Sequence, residues 1–356
     1  MNEKKVQNSP VAFAEFGDKR FEHLLDVTVD LERLSEPGYW VVIGSFEQSW
    51  LLLKFKDLNQ NNQIGGNWKG VNKASWESSL NKNQYVDAVN KLRDHISLGD
   101  VYQANICRVL KAKINETDFD IKGLFTLLKA GNPAPFSSLI KVSKESHERL
   151  NKDILIASAS PELFLERDND FIYSSPIKGT GKTESDLTEK DRAENIMIVD
   201  LVRNDLSRVC KTGSVEVPNL LEVQSHPGLV HLVSTVKGKL NDQTKWSEIL
   251  KATFPPGSVT GAPKISALKL IAKLEQGNRG IYCGTIGWID TFQQKAKLSV
   301  AIRTFWIDGE YLFFGTGAGI TWGSEAESEW LETELKCANL FEIASKQVVN
   351  SSPKVV

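Results

Sequence analysis

Three strand-like segments follow one another almost without interruption near the C-terminal end: GIYCGTIGWID (280–290), AKLSVAIRTFWID (296–308) and EYLFFGTGAGITW (310–322). Their density of branched and aromatic residues, broken only by short turn segments, commits this part of the chain to a sheet. Earlier stretches repeat the pattern. GYWVVIGSFEQSWLLLKFK (38–56) reads as two strands joined by a short turn, VYQANICRVLKAKI (101–114) as one strand, and DILIASASPELFLERDNDFIYSSP (153–176) as two strands around a Ser-Pro-Glu turn. Helical spacing appears between them. Val86, Val89, Leu92 and Ile96 recur on one face ahead of Gly99, and Ile196, Val199, Val202 and Leu206 recur on a second helix with acids in its first turns. Further helices fit IKGLFTLLKAG, the segment around Trp246, KISALKLIAKLE opened by Pro263, and roughly residues 325–346. The fold class is α/β (α+β), with helix and sheet elements alternating.

Length and composition narrow the function. The 356 residues, 41% apolar and 25% charged, suit a folded globular enzyme. A net charge of -2 with no Lys/Arg stripe argues against nucleic acid as a partner. The polar start MNEKKVQNSP lacks the apolar core of a secretory signal, and no apolar run reaches membrane-spanning length, so a cytoplasmic protein is expected. The four cysteines are far apart, with no metal-ligand spacing, and read as reduced thiols. The Asn/Gln/Gly/Lys-rich connector near residues 57–84 divides a small N-terminal section (1–76) from a main domain (77–347), followed by a flexible tail (348–356).

Several residues invite chemistry. Asp191 and Glu194 share one helical face, as do Glu329 and Glu332; two such faces brought together would make an oxygen-rich Mg²⁺ site, while singly such acids serve the helix dipole. Glu162 stands between apolar strand residues in SASPELF, where withdrawal from water would raise its pKa and suit it to general acid work, unless it points outward from the turn. SSPIKGTGKT (174–183) reads as a loop carrying Lys178 beside Gly179. Its lysine is a solvated charge, a nucleophile or a substrate contact; the phosphate-loop spacing is absent, because Pro176 stands five before Gly181. GTGAGI (315–320) could offer backbone amides to an anion, Arg303 a planar donor to a carboxylate or a salt bridge, and His231 either structure or catalysis.

Taken together, SASPELF, SPIKGT, DRAENIMIVDLVRNDLSRVC, HLVSTV, GSVTGAPK, IRT, GTGAGI and SEWLETELK occur in the order and approximate spacing of the chorismate-utilising enzymes, and residues 84–346 resemble that family. The resemblance implies a large sandwich of antiparallel sheets with helices outside and the active site between them. It implies Mg²⁺ held by Glu194 and Glu332, supported by Glu329 and by Asp191, where many relatives carry glutamate. It implies Glu162 as the acid that protonates the departing ring hydroxyl, His231 beside the ring, and Thr180, Ser258, Tyr282, Arg303, Gly317, Gly319 and Lys336 as substrate contacts.

Two positions separate the branches of the family. Gln103 stands where water-using members carry a lysine base, so ammonia is the implied nucleophile. Lys178 stands where anthranilate-forming members typically carry alanine, and implies amination of chorismate to 4-amino-4-deoxychorismate, with the lysine adding to the ring first. Anthranilate formation, isochorismate or salicylate formation, and non-catalytic chorismate binding are the alternatives. No Gly-x-Cys-x-Gly motif is present, so ammonia is expected from a separate glutamine amidotransferase subunit. The Leu-Leu-Glu-Ser stretch linked to tryptophan feedback is also missing, and no such feedback is expected.

Overall fold

A computed structural model describes residues 11–60, 65–114, 119–226 and 229–348; most of the expected tail lies outside them. Strands β1 (Ala12–Phe16), β2 (Lys19–Thr28), β3 (Tyr39–Gly44), β4 (Trp50–Gln60) and the short β5 (Glu77–Ser78) precede helix α1 (Lys82–Ser97). Then come β6 (Gln103–Lys113), α2 (Ile121–Gly131), β7 (Phe136–Val142), β8 (Ile154–Ser160), β9 (Leu163–Asp168), β10 (Phe171–Ser175) and β11 (Ile177–Gly181). Helix α3 (Glu189–Ser207) leads to the hairpin β12 (Glu216–His226) and β13 (Leu229–Lys239), then α4 (Trp246–Thr253), β14 (Gly261–Ala262) and α5 (Lys264–Leu274). Strands β15 (Thr285–Asp290), β16 (Lys295–Val300), β17 (Thr304–Asp308) and β18 (Tyr311–Ile320) and helix α6 (Ala326–Ser345) complete the order.

All strand pairings are antiparallel. One continuous ribbon runs β12-β13-β10-β9-β16-β15-β3-β4-β2-β1-β7-β8-β17-β18-β6, with β11 lengthening the β10 side of β13 and β5 and β14 added beside β6. The ribbon has two halves, and two chain segments cross directly between them, β8 into β9 and β16 into β17. This arrangement corrects the expected hairpin at Ser-Pro-Glu. Strands β8 and β9 do not pair with each other, because Pro161 and Glu162 form a corner between the halves, and 296–308 breaks at the same level into β16 and β17. Strands β1, β2, β7 and β12 have no counterpart in the sequence reading; in β1 and β7 polar residues such as Glu15 and Ser138 are themselves buried and interrupt the apolar alternation.

Apolar side chains pack between the halves and beneath the helices, with Trp40, Phe21, Phe55, Phe305 and Trp68 among the largest fully buried groups. Helix α3 lies on β13 through Asn195, whose Nδ2 donates to Leu232 O at 3.1 Å and whose Oδ1 accepts from Ser234 Oγ at 2.5 Å. Its buried face is Asn195, Ile198, Val199, Val202, Asp205 and Leu206. Ile196, expected on that face, is exposed instead. Polar groups with partners have replaced part of the apolar stripe, which shifts the face by one position.

Candidate active site

The corner between the halves sets two of the expected residues. Val300 N donates to Glu162 O at 3.1 Å and Ala159 N donates to Arg303 O at 3.0 Å, so the crossing segments are stitched together where they bend. Arg303 takes a left-handed backbone, φ 50°, at that bend. Its guanidinium is largely withdrawn from water, which lowers its pKa. Glu162 is only 4% exposed. Burial pushes its carboxyl up to about 7, against the pull of a Ser258 hydrogen bond, the Lys178 charge and the Ile177 amide. A carboxyl poised there holds a proton near neutrality and can give it up.

Lys178 lies on a strand, not in a loop. Residues 177–181 pair with β13, with a register shift between Ile177 and Thr180; the Ser, Gly and Thr content that suggested a loop accommodates this irregularity. Gly179, φ +83°, is required there, since a Cβ would lie 2.8 Å from Asp191 Cβ. A Cβ placed on Gly319 of β18 would meet Asn105 Oδ1 at 3.3 Å, Lys178 Nζ at 3.5 Å and Glu194 Oε2 at 3.8 Å. Strands β11 and β18, near opposite ends of the ribbon, thus face each other across a gap that the missing side chain of Gly319 keeps open. Among the described residues Lys178 makes no hydrogen bond or ion pair.

The acids of α3 and α6 meet in part. Lys190 Nζ lies 3.7 Å from Glu194 Oε1 and 3.5 Å from Glu329 Oε1, tying the two helices. Burial raises the pKa of Glu194; Lys178 and Lys190 pull it back, and Asp191 and Glu329 add to the rise. Glu329 is buried, and its Oε2 has no partner. Glu332 stands on the rim, paired with Lys336 at 2.6 Å. Asp191 is engaged in the capping box of α3: its Oδ2 accepts from Thr188 N at 2.8 Å and Oγ1 at 2.7 Å. No group of three His, Cys, Asp or Glu is set as a ready metal cage among the described residues. The donor chemistry nevertheless fits a hard cation, because an orphaned buried carboxylate oxygen and a second carboxylate share a single lysine.

Strand β18 supplies the third wall. Beyond Phe314 its partner on one side, β17, has ended, while β6 continues on the other. Lys336 Nζ donates to Gly317 O at 3.1 Å, so the carbonyl of Gly317, and with it the amides of Gly317 and Gly319, lies on the open edge. Gly315 and Gly317 are glycines for packing: a Cβ on either would enter the Tyr282 ring or come 2.5 Å from Cys107 Sγ. Tyr282, Ser258, His231, Arg303 and Lys178 all line one cleft of about 920 Å³ together with Glu162, Glu194 and Glu332. Thr180 pairs through its backbone with His231, and its side chain lies outside the described part of the structure. Gln103 does not line the cleft; it is fully buried beside it, with both amide atoms unpartnered. Asn105 and Lys190 line the cleft and escaped the sequence reading, although Asn105 shares a strand face with Gln103 and Lys190 stands four before Glu194.

A family model described as chorismate binding enzyme matches residues 48–342. The chain belongs to this family. It is 36% identical over 272 residues to aminodeoxychorismate synthase component 1 of Escherichia coli (strain K12), covering 73% of this chain and 57% of that protein. To anthranilate synthase component 1 of Aquifex aeolicus (strain VF5) it is 34% identical over 279 residues, 75% of this chain and 54% of that one. The matched region spans little more than half the length of these curated relatives. The solved menaquinone-specific isochorismate synthase of Escherichia coli superposes with a TM-score of 0.77 at 16% identity, over 96% of this chain and 90% of its own, a likeness of fold. No helix among the described residues is long and apolar enough to cross a membrane.

Proposed function

We propose that this member of the chorismate-binding family aminates chorismate to 4-amino-4-deoxychorismate, with ammonia supplied by a separate glutamine amidotransferase subunit. The observation that carries the reading is the amine of Lys178, without a hydrogen bond or close ion pair among the described residues, in the same cleft as the buried acid Glu162. The 36% identity to an aminodeoxychorismate synthase supports it. Substrate carboxylates would be held by Arg303, Tyr282, the loop of Ser258 and the open-edge amides of Gly317 and Gly319, while His231 would lie beside the ring. Lys178, once its ammonium has given a proton to solvent, adds to the ring as Glu162 protonates the departing hydroxyl, which leaves as water. Ammonia then displaces the lysine, and the proton it sheds returns to Glu162. Glu194, Glu329 and Glu332 would hold Mg²⁺, which when bound offsets the charge of a substrate carboxylate.

The Aquifex relative favours a second reading, anthranilate formation. Incubation with chorismate, Mg²⁺ and ammonium, followed by product identification, decides between them. The para-aminated product is expected. Anthranilate with pyruvate would establish the second reading, and isochorismate would remove ammonia as the nucleophile.

A further inference from the structure

Behind the cleft wall, Arg279 is 2% exposed and directs all three guanidinium nitrogens at segments that carry the site. Its Nη1 donates to Val259 O at 2.9 Å, and Val259 is the neighbour of Ser258. Its Nη2 donates to Asn105 O at 2.9 Å, the backbone of a cleft-lining residue on β6. Glu275 holds the fork from the other side, accepting from Nε at 2.8 Å and from Nη2 at 2.6 Å, and also from Cys107 N at 2.8 Å. Phe46 packs against the guanidinium at 4.1 Å, and Glu47 accepts from Arg279 N at 2.7 Å. Four guanidinium N–H donations to fixed acceptors on three chain segments are what a planar fork provides and a lysine does not.

We infer that Arg279, held by Glu275, is a positioning residue that locks the Ser258 loop against β6 and so fixes the Ser258 hydroxyl on Glu162. The inference rests on the reading of Glu162 as the acid. The Ser258 hydroxyl favours the ionised carboxylate, so a loosened loop leaves Glu162 protonated to higher pH.

The test is the pH profile of kcat/KM for Arg279→Lys, Ser258→Ala and the double variant, with thermal melts recorded alongside. Arg279→Lys should lower kcat and move the alkaline limb upward by about one pH unit, the scale of one hydrogen bond to a charge. Ser258→Ala should move it the same way, and the double variant no further than either. An unmoved limb in Arg279→Lys, or additive shifts in the double variant, would overturn the inference, since a merely structural loss lowers activity and melting without moving the limb. If Arg279→Lys melts below assay temperature, Glu275→Gln is used with the same criteria. A wild-type enzyme with no limb that Glu162→Gln abolishes would instead overturn the reading of Glu162.

Discussion

Glu162 is tested by pH in two separate ways. Its carboxyl is raised from 4.5 to about 7 by burial, so the stability it contributes is full below pH 4.5 and is lost as pH rises through 7, at a limit of about 3 kcal/mol. Denaturant titrations of Glu162→Gln should therefore show a variant that gains on the wild type between those pH values. Turnover should move oppositely, falling about 10²- to 10⁴-fold for loss of a general acid, while the wild-type rate declines above pH 7. Equal pH dependence of stability in the two proteins would place the carboxyl in water.

Helices and strands bring these residues together, and here the sequence was legible unevenly. The helices at 82–97 and 326–345 were readable, the first from its periodic face ahead of Gly99 and the second with ends within one residue of the expected 325–346. The strand of Lys178 was not, because a Gly- and Thr-rich irregular strand resembles a loop until its partner is known. The corner at Glu162 was hidden for the same reason: which strands pair is a long-range property that local alternation does not encode. Asn105 and Lys190 needed only the period of their own elements. At this scale Thr188→Ala should cost about 1 kcal/mol by removing the cap of α3, measured by urea unfolding. Gly319→Val and Gly315→Ala should separate function from packing. The first places its side chain between Lys178 and Glu194 and should raise the KM for chorismate with melting little changed. The second drives a methyl into Tyr282 and should destabilise by about 1–3 kcal/mol.

The whole molecule is a ribbon whose far ends close on one cleft, so ligands that bridge β11, β18, α3 and α6 bind the folded state alone. Chorismate with Mg²⁺ at 100 times its dissociation constant should add about 2.7 kcal/mol of stability, read as a higher melting temperature than either gives separately. The central claim, that the lysine in this cleft attacks the ring, is tested most directly by intact-protein mass spectrometry after incubation with chorismate and Mg²⁺ in the absence of ammonia. A mass gain equal to chorismate less one water, mapped to Lys178 and discharged by added ammonium as the aminated product appears, is the predicted result. No adduct, with Lys178→Ala forming that product at the wild-type rate, would contradict it.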